Sequence, residues 1–285
     1  MCIRDRIISY TYQDTPLLTK SPQPNFWRPP TDNDLGNGMQ EWAAVWKEAN
    51  QNWTITPDVT IVSDSNYINF LVNYLPTKAG GTGVKLSYTI YGDGVIDFGY
   101  RFTSTNEKLP NIPRIGMQFQ LPADFQFMEW YGKGPHETYW DRQSSGEVGI
   151  WKGKVWDQLH NYSRPQESGN KMGVRWMTLK NEQGLGLKAI STSRPLSMSA
   201  WQLAMAELDF VAGAKGAESA SGLVPVTSKH GADLLPRDFI TWNIDFKQMG
   251  LGGDTSWGRM VHEEYTLPAN RGYEYSFRLM PIVGE

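Results

Sequence analysis

Between residues 60 and 104, apolar side chains return at every second position in four successive runs (60–62, 67–74, 84–90 and 95–104). Short stretches rich in Gly, Asp, Asn, Ser and Thr part them. A period of two places alternate side chains on opposite faces of an extended chain, so each run reads as a strand with one face to bury. Tyr91-Gly92-Asp93-Gly94, between the third and fourth runs, carries the glycines that a tight hairpin needs. The pattern continues at 114–121, stopped by Pro122, and at 125–131, and it returns at 174–180, 186–190, 196–201, 239–246 and 273–279. About a dozen strands specify an all-β chain folded as a large antiparallel β-sandwich. Composition agrees: 28 Gly and 17 Pro are too many breakers for a helical protein, and 12 Trp, 13 Tyr and 11 Phe suit sheet surfaces.

One helix is legible. Asn37 reads as its cap with Gln40 three places on, and Met39, Trp42, Trp46 and Ala49 share one face. Its tryptophans are expected to pack on a sheet. The Pro-punctuated residues 1–24 read as a linker or a non-native leader, and 25–285 as a single domain. The Gly/Ala/Ser-rich stretch 211–223 reads as a long surface loop.

Charge narrows the function. With 27 basic and 30 acidic side chains, formal net charge -3, there is no electrostatic footprint for nucleic acid. Cys2 is the single cysteine, which excludes an internal disulfide. No apolar run reaches the length of a membrane span, and the opening residues lack the apolar core of a secretory signal, so a cytoplasmic location is expected. The histidines at 136, 160, 230 and 262 show no zinc-ligand spacing, and no Gly-x-Ser-x-Gly is present. Neither a zinc site nor a serine-hydrolase elbow is therefore suggested by these residues.

Four polar segments remain. Phe26-Trp27-Arg28-Pro29-Pro30-Thr31-Asp32-Asn33-Asp34 carries two acids in a turn. Tyr131-Gly132-Lys133-Gly134-Pro135-His136-Glu137-Thr138-Tyr139-Trp140-Asp141-Arg142 could supply a base and a carboxylate, or hydrogen-bonded groups that fix an irregular segment. Arg164-Pro165-Gln166-Glu167-Ser168-Gly169-Asn170 reads as a clasp, with Arg164, Glu167 and Asn170 able to bind a hydroxylated ligand or an adjoining domain. Asn243-Ile244-Asp245 runs into the glycine-rich Met249-Gly250-Leu251-Gly252-Gly253-Asp254-Thr255-Ser256-Trp257-Gly258.

In this order the four segments resemble the C-terminal domain of β-galactosidases of glycoside hydrolase family 2, a unit termed the small chain when separately encoded. The resemblance covers nearly the whole chain from Pro24 to Leu279. It implies a supersandwich of the galactose-mutarotase-like type in an enzyme hydrolysing terminal non-reducing β-D-galactose residues. It also implies that the two catalytic glutamates, and the magnesium and sodium sites, lie upstream on a (β/α)8 barrel outside this chain. The chain alone is then inactive. Its partners are the upstream domains or a separate large subunit, a β-galactoside substrate, and further copies in a homo-oligomer. Some family members place a sugar-stacking Trp from this domain at the active-site mouth; in the matched register that position is Thr241, with Trp242 next to it. The remaining motif residues Asp32, Asp34, His136, Glu137, Asp141, Arg142, Arg164, Glu167, Asn170, Asp254 and Trp257 are assigned structural or interface roles. Two other readings stay open: a stand-alone carbohydrate-binding module, and a mutarotase-like epimerase using His136 and Glu137.

Overall fold

The expected strands are present in the computed structural model, which describes residues 2–3, 6–56, 60–63, 66–211, 229–254 and 258–284. The chain opens with β1 (Cys2–Ile3), β2 (Ile7–Ser9), β3 (Thr11–Tyr12), β4 (Thr15–Pro16) and β5 (Lys20–Asn25), then the short helices α1 (Asp32–Gly36), α2 (Met39–Trp42) and α3 (Ala44–Ala49). Next come β6 (Trp53–Ile55), β7 (Thr60–Ser63), β8 (Tyr67–Pro76), β9 (Thr82–Tyr91), β10 (Ile96–Ser104) and β11 (Arg114–Pro122). These are followed by β12 (Phe127–Gly134), β13 (Glu147–Lys154), β14 (Lys171–Val174), β15 (Trp176–Lys180), β16 (Gly186–Ser191) and β17 (Leu196–Trp201). A short α4 (Met205–Leu208), then β18 (Phe239–Gln248) and β19 (Tyr273–Ile282), complete the described strands and α-helices.

The strands form two main sheets. The larger runs β13-β12-β15-β16-β19-β10-β9-β8-β6 with β7 also on β8, and the smaller runs β14-β17-β18-β11-β5. Neighbours pair antiparallel throughout, as in β9–β10–β19 and β17–β18–β11. Between the sheets lies an aromatic core. Phe98 of β10 stacks on Phe277 of β19 with centroids 4.7 Å apart, and Phe119 of β11 reaches both Phe98 and Trp242. The alternation that marks β10 is read out directly: Ile96, Phe98, Tyr100 and Phe102 are buried, while Asp97, Gly99 and Arg101 face outward.

Three expectations need correction. Residues 7–25 are no linker, because Ile7, Tyr10, Leu17 and Leu18 are buried and Lys20–Asn25 forms the edge of the smaller sheet on β11. The single helix is instead three short ones. Thr31 caps α1 in a capping box with Asp34; Asn37 closes α1 rather than opening a helix, and left-handed Gly38 (φ 75°) turns the chain into α2. Trp46 is buried against Phe26, with ring centroids 5.4 Å apart, as the apolar stripe requires. The 211–223 stretch falls, from 212 on, outside the described residues.

Candidate functional site

The outer face of the smaller sheet is polar yet buried. Asn243 on β18 donates to Ser199 on β17 and accepts from Gln118 on β11, a ladder of side-chain bonds across three strands. Towards the end of β18 the ladder gives way to charge. Arg114, first residue of β11, donates to Glu167 at 2.7 Å and approaches Asp245 at 3.4 Å, and all three side chains are fully buried. The Arg114 guanidinium also lies over the Trp201 ring, whose indole N–H donates to the Ser168 carbonyl. Glu167 additionally accepts from Gln248 and Tyr139.

One cation thus faces two carboxylates away from water. Burial penalises the charged form of both acids, and Arg114 offsets this only in part. The Asp245 carboxyl is pushed up to about 7 and that of Glu167 also rises, each chiefly by desolvation with Arg114 opposing. No hydrogen-bond donor reaches either Asp245 oxygen, so its ion-pair contact with Arg114 is its main stabilising interaction.

Around this triad the other segments interlock. Asn170 donates to the Thr138 carbonyl and accepts from Ser197 and Gln248. Glu137 accepts from Arg142 at 2.5 Å, from the Tyr162 hydroxyl at 2.6 Å and from the Gly169 amide at 2.8 Å. Asp32 receives Arg164 and exchanges side-chain and backbone bonds with Gln166. Asp34 pairs with Arg28 at 2.8 Å, both buried, and Arg28 donates onward to the carbonyls of Met249 and Gly250. Asp141 accepts from the Leu251 and Gly252 amides, while Asn33 donates to the Leu251 carbonyl. A Cβ at Gly250 would lie 2.7 Å from an Asp141 oxygen and 2.9 Å from the Tyr265 Cβ, so a larger residue there would displace the Asp141 side chain. All four sequence segments therefore meet in one place, around a polar cleft of about 240 Å³ bordered by Thr31, Asp32, Arg142, Tyr162, Gln166 and Leu251.

Other assigned residues lie elsewhere. His136 is exposed and meets Ser145, turned away from its neighbour Glu137. Asp254 is half-exposed, with His262 at 2.6 Å and Arg259 at 3.8 Å. Trp257 lies outside the described residues. The stacking role assigned to Trp242 and Thr241 does not survive. Trp242 is fully buried between the sheets, its indole N–H on the Met177 sulfur at 3.2 Å, because its strand position points inward. Thr241 points to the other face, where its hydroxyl donates to the Leu203 carbonyl, and it too is buried. Arg114, Gln248 and Tyr162 hold the cluster together without having been singled out, joined by Tyr139 and Asp245, which the sequence offered only as members of their segments. For Arg114 the signal was a lone cation heading an apolar strand.

Among the described residues, no group of three or more His, Cys, Asp or Glu is placed to hold a metal ion, and no helix is long and apolar enough to cross a membrane.

Residues 3–279 match the family model of the β-galactosidase small chain. A β-galactosidase of Priestia megaterium is 36% identical over 281 residues, 98% of this chain and 25% of that protein. One from Halalkalibacterium halodurans is 32% identical over 95% of this chain and 25% of its own length. The chain spans about a quarter of the length of these curated relatives. Among solved structures, galactose 1-epimerase of Lactobacillus acidophilus aligns with 98% of this chain and 77% of its own, at 11% identity and TM-score 0.44.

Proposed function

Since the chain belongs to the β-galactosidase small-chain family, we propose that it works as the C-terminal quarter of a β-galactosidase acting on terminal non-reducing β-D-galactose residues, and that it supplies a docking platform rather than the reacting groups. The observation that carries this reading is the convergence of the four polar segments into one interlocked network of hydrogen bonds and buried ion pairs. Hydrolysis with a glycosyl intermediate needs two carboxyl groups about 5–5.5 Å apart facing one sugar, one of them free to attack. Here Glu167 is held by Arg114, Gln248 and Tyr139, Glu137 by three donors, and Asp245 is sealed beside Arg114. Glu137 and Glu167 are spent on holding loops in place, and Asp245 is sealed against Arg114.

In this reading the glutamates that break the glycosidic bond, with the magnesium and sodium ions, belong to the upstream part of the enzyme. What the chain offers that part is shape. Arg28, Asn33 and Asp141 fix the 249–252 turn, and Asp32, Arg164 and Gln166 fix the facing loop, so that the cleft between them has a set width. An epimerase would require His136 and Glu137 to converge on one sugar, and the two side chains diverge.

Assay of the purified chain on nitrophenyl β-galactoside tests the reading. The expected result is no turnover above background. Turnover that survives repurification and vanishes in Glu137→Gln or Glu167→Gln would overturn it.

A further inference from the structure

The outer face of the larger sheet carries a trench that the motif cluster does not use. Its floor is one register row across neighbouring strands: Leu71 on β8, Ser87 on β9, Gly99 on β10 and Ser276 on β19. Glycine inside a strand weakens it and marks close approach by something else. Here a Cβ on Gly99 would sit 2.3 Å from the Ser87 hydroxyl oxygen, so the floor admits no larger side chain as it stands. The rows on either side are tall. Lys85, Arg101 and Glu274 form one wall; Thr89, Asp97 and Arg278 form the row beyond the other side. Four residues separate the two rows along the strand, about 13 Å. Ser193 and Arg194 close the end beside Ser276, where Ser193 accepts from the Ser276 amide. The resulting open groove measures about 600 Å³, within the ordinary range for small-ligand sites.

The chemistry of the lining is selective. Arg101 and Glu274 neutralise each other at 2.9 Å, as do Asp97 and Arg278 on the far row. Lys85 and Arg194 have no carboxylate partner among the described residues, and the Arg194 guanidinium is held over the Phe246 ring at 5.2 Å. Two positive charges are therefore left over above a floor of serine hydroxyls. The trench crosses the middle of a fully paired sheet, so it offers no free backbone N–H or C=O to an extended peptide. Hydroxyls below and cations at the rim suit a ring bearing its own hydroxyls and an anionic group.

We propose that this trench binds an acidic oligosaccharide, with ring hydroxyls over Ser87, Gly99 and Ser276 and its oxyanions facing Lys85 at one end and Arg194 at the other. A short uronate and a short sulfated sugar share that chemistry, and comparing them shows which anion the rim prefers.

Calorimetric titration of the 285-residue chain with tri-galacturonate tests it, beside neutral galactotriose and a sulfated trisaccharide of equal length. Saturable binding of at least one acidic sugar is expected, about tenfold tighter than the neutral one and weakened by added salt. The double variant Lys85→Ala/Arg194→Ala should lose about tenfold. Ser87→Phe, which fills the floor and keeps every charge, should abolish binding; Ser276→Gln blocks it from the neighbouring strand should Ser87→Phe fail to fold. Equal affinity for neutral and acidic sugars, absence of saturation with both acids, or unchanged acidic binding in the folded floor-blocked variant would each overturn the assignment.

Discussion

Both sheets turn a polar face away from the shared core, and the two faces meet opposite fates. On the smaller sheet the chain's own segments fold back over the surface and seal Arg114, Glu167 and Asp245 from water. On the larger sheet Arg101, Glu274, Asp97 and Arg278 stand in solvent at the rim of a trench. The ion pairs look alike on paper. The difference is water: a sealed charge loses its hydration and depends wholly on its partner, whereas a solvated one loses little when its partner goes.

Mutation at equivalent places should expose that asymmetry. Arg114→Ala leaves two carboxylates sealed without their cation and is expected to cost about 3–5 kcal/mol, read from the urea midpoint. Arg101→Ala, which breaks the exposed pair with Glu274, should cost at most about 1 kcal/mol. Equal losses would erase the distinction between the faces. Trp242→Ala serves as an apolar reference and should cost about 3–5 kcal/mol, as a buried Trp between the sheets does. Glu167→Ala is expected to be milder, about 1–3 kcal/mol, since Arg114 retains Asp245 as a partner.

The comparison also carries a pH dependence, and its sign is definite. The folded chain holds the Asp245 proton more tightly than the unfolded chain does, with the carboxyl pushed from 3.8 to about 7 by burial. Its contribution is whole below the unfolded value and is lost as pH rises through about 7. Glu167, also raised, acts in the same direction. Asp245→Asn removes one titrating group. Wild-type stability should therefore fall relative to this variant between about pH 4 and 7, with a constant difference above that. A difference independent of pH would mean that Asp245 is not sealed.

The contrast also explains what the sequence revealed. A strand with one buried face announces itself by alternation, so β8 to β12 were legible. β13 was not: as the outermost strand of the larger sheet it has no fully buried residue, with Val148 and Ile150 exposed and Trp151 only partly buried, and leaves a weak period to detect. β5 was hidden by its prolines, which the sheet edge tolerates. The motif residues were visible as polar clusters because hydrogen-bonding side chains gather at irregular backbone. Their partners were not, since Arg114 meets Glu167 across 53 positions and Arg28 meets Gly250 across 222. Trp242 shows the same limit at one residue's scale: only the strand's register tells its inward face from its outward one.

The central claim is that the buried network holds a docking platform in shape and handles no protons in catalysis. Glu167→Ala in the enzyme carrying its upstream domains tests it most directly, by melting temperature and kcat on a β-galactoside measured together. A lowered melting temperature of this domain with kcat per folded enzyme unchanged is the expected result. An unchanged melting curve with a collapsed kcat would place Glu167 in the active site and contradict the account.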